Sequence, residues 1–269
     1  MLEHPTLEKL AHLRLTGMCD ALRQQQQMPE YQTLSFEERL GLLVDQETLV
    51  RQNRQMATRL KKAGLRQEAA VEDIDFRHPR QLDRSVILSL ASCHWIANRR
   101  NCLITGPTGV GKTYLACALA HKSCREGFSA RYVRVSRLVG ELAVARRDGS
   151  YLDQLRALSQ VDLLVLDDWG VTPLSDEGRR DLLEILDDRY DRKSTLVTSQ
   201  IPVERWHEYL ADPTLADAIL DRLVHNAHRL ALSGESMRRV KAEFAQKDPV
   251  EPLMRNVTVG GGDDHAPAA

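Results

Sequence analysis

The chain has 269 residues, enough for one large domain or two modest ones with a sizeable core. Its 37 Lys and Arg balance 38 Asp and Glu, which excludes a strongly basic whole-molecule field, so any nucleic-acid contact must come from local patches. No apolar run reaches membrane-spanning length, the N-terminus Met1-Leu2-Glu3-His4-Pro5 lacks a secretory pattern, and the five cysteines form no C-x-x-C pair. These features predict a cytoplasmic chain with no membrane contact and inert thiols.

Residues 1–78 read as a small all-α domain. Leu7, Leu10, Leu13 and Leu15 stand at near-helical spacing, and Met28-Pro29 interrupts the pattern after a glutamine run. Ser35 is a candidate N-cap, with Glu37 and Glu38 in the first turn and Leu40, Leu43 and Val44 continuing the helix. Residues 51–66 then carry Arg51, Arg54, Arg59, Lys61, Lys62 and Arg66 with no acid among them. The acids that might pair with them gather at the two ends. A solvated helix face explains such a run as readily as a phosphate-backbone contact does. These six are therefore candidate DNA ligands.

From about residue 100 the pattern alternates between strands and helices. Strand candidates fall at 101–105, 130–135, 161–166, 194–198 and 228–232, which predicts an α/β fold with a parallel sheet covered on both faces. The first of these strands runs into Gly106-Pro107-Thr108-Gly109-Val110-Gly111-Lys112-Thr113, and a helical pattern begins at Tyr114. Glycines let successive N–H groups turn around phosphate oxygens, Lys112 can reach the β- and γ-phosphates, and the Thr113 hydroxyl can ligate magnesium. Strand, loop and helix in that order place a nucleoside triphosphate at a helix N-terminus.

Further along, the apolar run 161–166 ends in Asp167-Asp168. Asp167 is placed to hold magnesium, and Asp168 to orient or deprotonate the attacking water. Thr198-Ser199-Gln200 follows another apolar strand, where Gln200 can touch both γ-phosphate and water. Arg222 and Arg238 are single arginines near the end, and each reads either as an ordinary surface arginine or as a group that neutralises transition-state charge from a neighbouring subunit. The stretch 136–158 exceeds a simple crossover, and its Arg146-Arg147 pair reads equally as a basic turn toward DNA or as a surface loop.

Together these motifs resemble the IstB-type transposition helper ATPases of bacterial insertion sequences, relatives of the DnaC-like helicase loaders in the AAA+ superfamily. The likeness rests on the loop 106–113, Leu166-Asp167-Asp168-Trp169-Gly170, Thr198-Ser199-Gln200-Ile201-Pro202, the segment 221–229 and Gly234-Glu235-Ser236-Met237-Arg238. It implies an AAA+ core over 79–245 with a truncated C-terminal lid; the composition of the end, with Gly260-Gly261-Gly262-Asp263-Asp264, reads as a disordered tail over 246–269. It also implies Gln200 as first nucleotide sensor, Arg222 as arginine finger and Arg238 as second sensor. The function implied is ATP-dependent oligomerisation on duplex DNA, with ATP and Mg2+ between subunits and a cognate transposase as partner. A replicative helicase loader is the alternative. Asp168 stands where most relatives carry Glu, which implies slow hydrolysis.

Overall fold

In the computed structural model, which describes residues 5–237 and residue 239, three helices come first: α1 (Pro5–His12), α2 (Thr16–Gln27) and α3 (Phe36–Ala63). Pro29 ends α2, and a 3-10 turn over Pro29–Thr33 leads on. Ser35 Oγ accepts from Glu38 N at 3.2 Å, while Ser35 N donates to the Glu38 carboxylate at 2.8 Å, so α3 opens on a complete capping box. The helix carries the basic segment as far as Lys62, 28 residues in all, and stops where Gly64 turns left-handed at φ 59°, which leaves Arg66 beyond its end. The buried Glu47 on α3 accepts from Gly17 N at 2.8 Å and Met18 N at 3.2 Å, which satisfies open donors at the start of α2.

After α3 the chain crosses to the α/β core, where Ala69, Val71 and Ile74 are buried beside residues of the sheet. It continues through α4 (Arg84–Ala91), α5 (His94–Ala97), β1 (Asn101–Thr105), α6 (Lys112–Arg125) and β2 (Ala130–Arg134). Next come α7 (Val135–Asp148), α8 (Tyr151–Gln160), β3 (Leu163–Trp169), α9 (Asp176–Arg189) and β4 (Ser194–Ser199). The described chain closes with α10 (Trp206–Leu210), α11 (Pro213–Val224) and β5 (Ala227–Ala231). All five strands pair in parallel in the order β2-β3-β4-β1-β5.

Each inner strand is buried on both faces, so its sequence is a continuous apolar run rather than an alternation. Cys102, Ile104, Leu163, Val165 and Leu196 pack with α4, α6 and the 63–74 stretch. Leu103, Val133, Leu164, Leu166 and Val197 pack under α7 to α11. The expected five-stranded α/β fold is therefore present, although β3 starts two residues later than its pattern suggested and runs on through both aspartates. All five cysteines are buried and unpaired, and burial pushes the Cys102 thiol up to about 12 and the Cys93 thiol up to about 11. No helix among the described residues is long and apolar enough to cross a membrane. The tail expected over 246–269 and the residue Arg238 lie outside the described residues.

Candidate functional site

The loop 106–113 leaves the C-terminal end of β1 and enters α6 at Lys112, at the edge where a parallel sheet binds its ligands. Gly111 sits at φ 96°, and a Cβ there would lie 2.5 Å from Arg80 Nη1, so only glycine fits. The first N–H groups of α6 have no helical partner and carry the positive end of the helix dipole. Lys112 is buried along its length, and its Nζ donates to the carbonyls of Gly106 and Pro107, each at 2.7 Å. The loop walls a cavity of about 370 Å³, which Thr108, Gly109, Gly111, Lys112, Thr113 and Tyr114 line from one side.

Asp168 lines the same cavity, Asp167 is buried behind Thr113, and a bulge in β3 aims both. Leu166 pairs with Val197, yet the next pair in register is Trp169 with Ser199, so β3 holds one residue more than β4 over that step. Asp168 takes φ 61°, a left-handed conformation uncommon outside glycine but more accessible to Asp and Asn. That turn brings its carboxylate to the cavity wall, one-third exposed, while Asp167 points inward and is fully buried. Thr113 Oγ1 donates to the Asp167 carboxylate at 3.0 and 3.1 Å, Tyr132 Oη donates at 2.5 Å, and Thr198 Oγ1 donates as well. Three hydroxyl donors offset the desolvation of this buried charge.

Gln200, one residue beyond β4, also lines the cavity, and its Oε1 accepts from Thr108 Oγ1 at 2.7 Å. Lys112, Thr113, Asp168 and Gln200 thus meet in one cavity, with Asp167 directly behind Thr113. Thr113 and Asp167 offer hydroxyl and carboxylate oxygens in direct contact, a hard donor set suited to magnesium that also binds phosphate and water. Among the described residues no cluster of three His, Cys, Asp or Glu side chains that could hold a metal ion occurs.

Two cavity residues escaped the sequence reading, which saw Arg66 as a DNA ligand and did not single out Arg80. Arg66 Nη1 lies 3.6 Å from both the Asp167 and the Asp168 carboxylates. Its guanidinium is held above the ordinary arginine value first by a hydrogen bond with Tyr132 and then by the two aspartates. Arg80, 3 % exposed, donates to the Val110 carbonyl at 3.0 Å and the Asp75 carbonyl at 2.8 Å, and burial lowers its pKa. It braces the loop from beneath. Neither role leaves a local signal, because each depends on residues that are brought near only by folding. Tyr132 carried a faint one, since a buried tyrosine within a strand needs a partner for its hydroxyl. The strap after β5 reaches back too, with Met237 N donating to the Gly109 carbonyl at 3.0 Å.

Other expected residues lie elsewhere. Arg222, on α11, lies outside the cavity, where its Nε donates to Asp187 at 2.6 Å and its Nη1 to the Ala218 carbonyl at 2.8 Å. The basic face of α3 is not the unpaired stripe the sequence suggested. Arg51 pairs with Glu47 at 2.7 Å, Arg54 donates to Thr16, and Arg59 donates to the Cys124 carbonyl at 2.9 Å. Even so, Arg51, Arg54 and Arg59 line one open groove, and Lys61 and Lys62 are exposed. Arg146 bonds Asp181 and lies 3.8 Å over the Tyr151 ring, which ties α7 to α8 and α9, while Arg147 is exposed.

A phosphate loop behind a central parallel strand, a buried aspartate on β3 and a glutamine after β4 define an ATP-binding P-loop protein of the AAA+ type. The profile of the family described as IstB-like ATP binding protein matches residues 8–245, and the chain belongs to that family. An insertion sequence ATP-binding protein of Sinorhizobium fredii (strain NBRC 101917 / NGR234) is 54 % identical over 239 residues, which cover 89 % of this chain and 98 % of that one. Among solved structures, the crystal structure of DnaI is similar with a TM-score of 0.54 at 24 % identity, covering 61 % of this chain and 91 % of that chain. The replication initiator DnaA bound to AMPPCP and single-stranded DNA gives 0.52 at 14 % identity, covering 68 % and 56 %. At these identities the two structures report a shared fold.

Proposed function

We propose that the chain is an ATP-hydrolysing switch that oligomerises on duplex DNA and helps a cognate transposase to select or remodel its target. One observation carries this reading. The cavity brings together Lys112, Thr113, Asp168 and Gln200 from a single chain, whereas Arg222 stands on a separate outer helix. A finger so placed is suited to act on a neighbouring subunit's nucleotide. Family membership supports the ATP and transposition parts, and a DnaA of the same fold binds AMPPCP and single-stranded DNA.

In this mechanism Lys112 and the first turn of α6 hold the triphosphate. Thr113 and Asp167 would hold magnesium, which supplies charge neutralisation at the phosphates. Asp168 orients and deprotonates the attacking water, and its short arm makes hydrolysis slow. Gln200 reads the γ-phosphate and water together. Arg222 from the adjacent subunit stabilises charge on the transferred phosphoryl group, so ATP favours the oligomer and hydrolysis loosens it. Residues 1–78 serve DNA contact and assembly, residues 79–245 the ATPase cycle. The exposed cations of α3 and Arg147 grip phosphates without reading bases, so binding is salt-sensitive and weakly sequence-specific.

The direct test is Lys112→Ala. We expect this variant to lose most ATP binding and, with it, ATP-dependent assembly on duplex DNA, followed by sedimentation with and without nucleotide. Normal assembly by the variant would remove the switch. Co-purification with a replicative helicase rather than with the transposase would move the chain to the helicase-loader alternative.

A further inference from the structure

Behind the nucleotide cavity lies a second one of about 350 Å³, against the exposed edge strand β2. Three parts of the chain build it: the left-handed turn at Gly64 that ends α3, strand β2, and the first two turns of α7. It is lined by Arg66, Arg131, Arg134 and Arg137, with Glu141 as the one carboxylate in its wall. That carboxylate is already engaged by Arg137 at 2.7 Å. Arg131 donates to the Lys62 carbonyl at 3.2 Å, which brings the basic end of α3 to the same rim. Four guanidinium groups against one carboxylate leave this wall net positive, a favourable setting for an anion with several oxygens.

Arg66 belongs to both cavities. Its guanidinium stands 3.6 Å from each of Asp167 and Asp168 on one side and lines the arginine-rich wall on the other. Tyr132 is a second shared element, lining the arginine cavity while its hydroxyl bonds Asp167.

We propose that the arginine cavity receives a phosphodiester of a nucleic-acid strand, and that Arg66 links its occupancy to that of the nucleotide site. The proposal deepens the reading above and rests on it for the identity of the strand as duplex DNA. Arg66 supplies positive charge to two carboxylates that otherwise face each other's field. When magnesium nucleotide supplies that charge instead, Arg66 can turn to the phosphodiester. A bound phosphodiester, in turn, draws Arg66 from Asp167 and Asp168 and leaves Asp167 better able to receive the cation. The two ligands therefore favour each other, and by linkage the factor is the same in both directions.

The test uses the full chain and a labelled duplex of one helical turn, about 10 base pairs, to limit assembly. Duplex affinity is read by anisotropy across a salt series, with and without magnesium and AMPPCP. For the native sequence we expect nucleotide to tighten duplex binding by roughly tenfold, within the usual span of coupling between sites. Arg131→Ala with Arg134→Ala should keep AMPPCP affinity in the absence of DNA, weaken the duplex, and reduce the salt slope by about two. Arg66→Gln should bring the coupling factor close to one, with its AMPPCP affinity in the absence of DNA measured alongside, and Arg66→Lys should restore part of the coupling, which a purely structural role would not do.

An unchanged salt slope in the double variant would overturn the site, and unchanged coupling in Arg66→Gln would overturn the link. In both cases nucleotide-dependent duplex binding by the native chain would leave the proposed function standing. Displacement of the duplex by low-millimolar inorganic phosphate would reassign the cavity to a free anion. Failure of the native chain to bind duplex with nucleotide would end both readings.

Discussion

Asp168 reaches the cavity because its backbone accepts an unfavourable torsion. A non-glycine residue at φ 61° costs on the order of 1–3 kcal/mol, and such strain persists where surrounding structure imposes it. Here the bulge in β3 and the bond from Asp168 N to Thr198 Oγ1 at 3.3 Å impose it. Asparagine tolerates the same torsion, so Asp168→Asn removes the base and leaves the backbone alone. We expect turnover to fall by about 100-fold or more, the usual range for losing a general base, with AMPPCP affinity and melting temperature nearly unchanged. Phosphate-release kinetics beside a nucleotide titration check this, and undiminished turnover would strip Asp168 of the role. Its neighbour Asp167 differs in kind: fully buried and held by Thr113, Tyr132 and Thr198, it is fixed in place before any ligand arrives.

Helix α3 is the element with the most separate duties. Its first turns form the helical unit with α2, its middle carries the basic face, and its last turn packs Ala63 into the α/β core. A single rigid rod thus joins the expected DNA-binding face to the residue that touches Asp167 and Asp168. The capping box sets where that rod begins. Replacing its hydroxyl, Ser35→Ala, should cost about 1 kcal/mol of stability, the typical loss for an N-cap. Urea unfolding followed by circular dichroism measures it, and a change near zero would mean that Glu38 and packing define the helix start without Ser35. The β3 bulge is the second decisive element. Without it, alternation along the strand would send Asp167 and Asp168 to opposite faces of the sheet.

At the scale of the molecule, the proposed active unit is larger than one chain. Arg222 is held by Asp187 and the Ala218 carbonyl on the outer layer of helices, so its own nucleotide cavity lies beyond its present partners. If Arg222 acts across an interface, Arg222→Ala should bind ATP normally yet hydrolyse it slowly, and mixing it with Asp168→Asn subunits should partly restore hydrolysis. Such mixtures contain interfaces with an intact base from one variant and an intact finger from the other. ATPase measured across mixing ratios gives the answer; activity that only averages the two parents would place the finger role elsewhere.

The order of elements was legible in the chain because local physics sets it. Continuous apolar runs mark strands buried on both faces, Ser35 and its acids mark a helix start, and the loop 106–113 has one well-understood use between a strand and a helix. Lys112, Thr113, Asp168 and Gln200 stand at the start of α6, near the end of β3 and just after β4, places the local pattern marks, and the fold brings all four to one cavity. Arg66 and Arg80 were not, because their meaning depends on which distant carboxylates and carbonyls the fold carries to them. In the sequence Arg66 is the last charge of a basic run; in the tertiary structure it is the cation 3.6 Å from both Asp167 and Asp168. The bulge that aims those aspartates depends on the register between β3 and β4, a relation between two strands that neither strand's sequence contains.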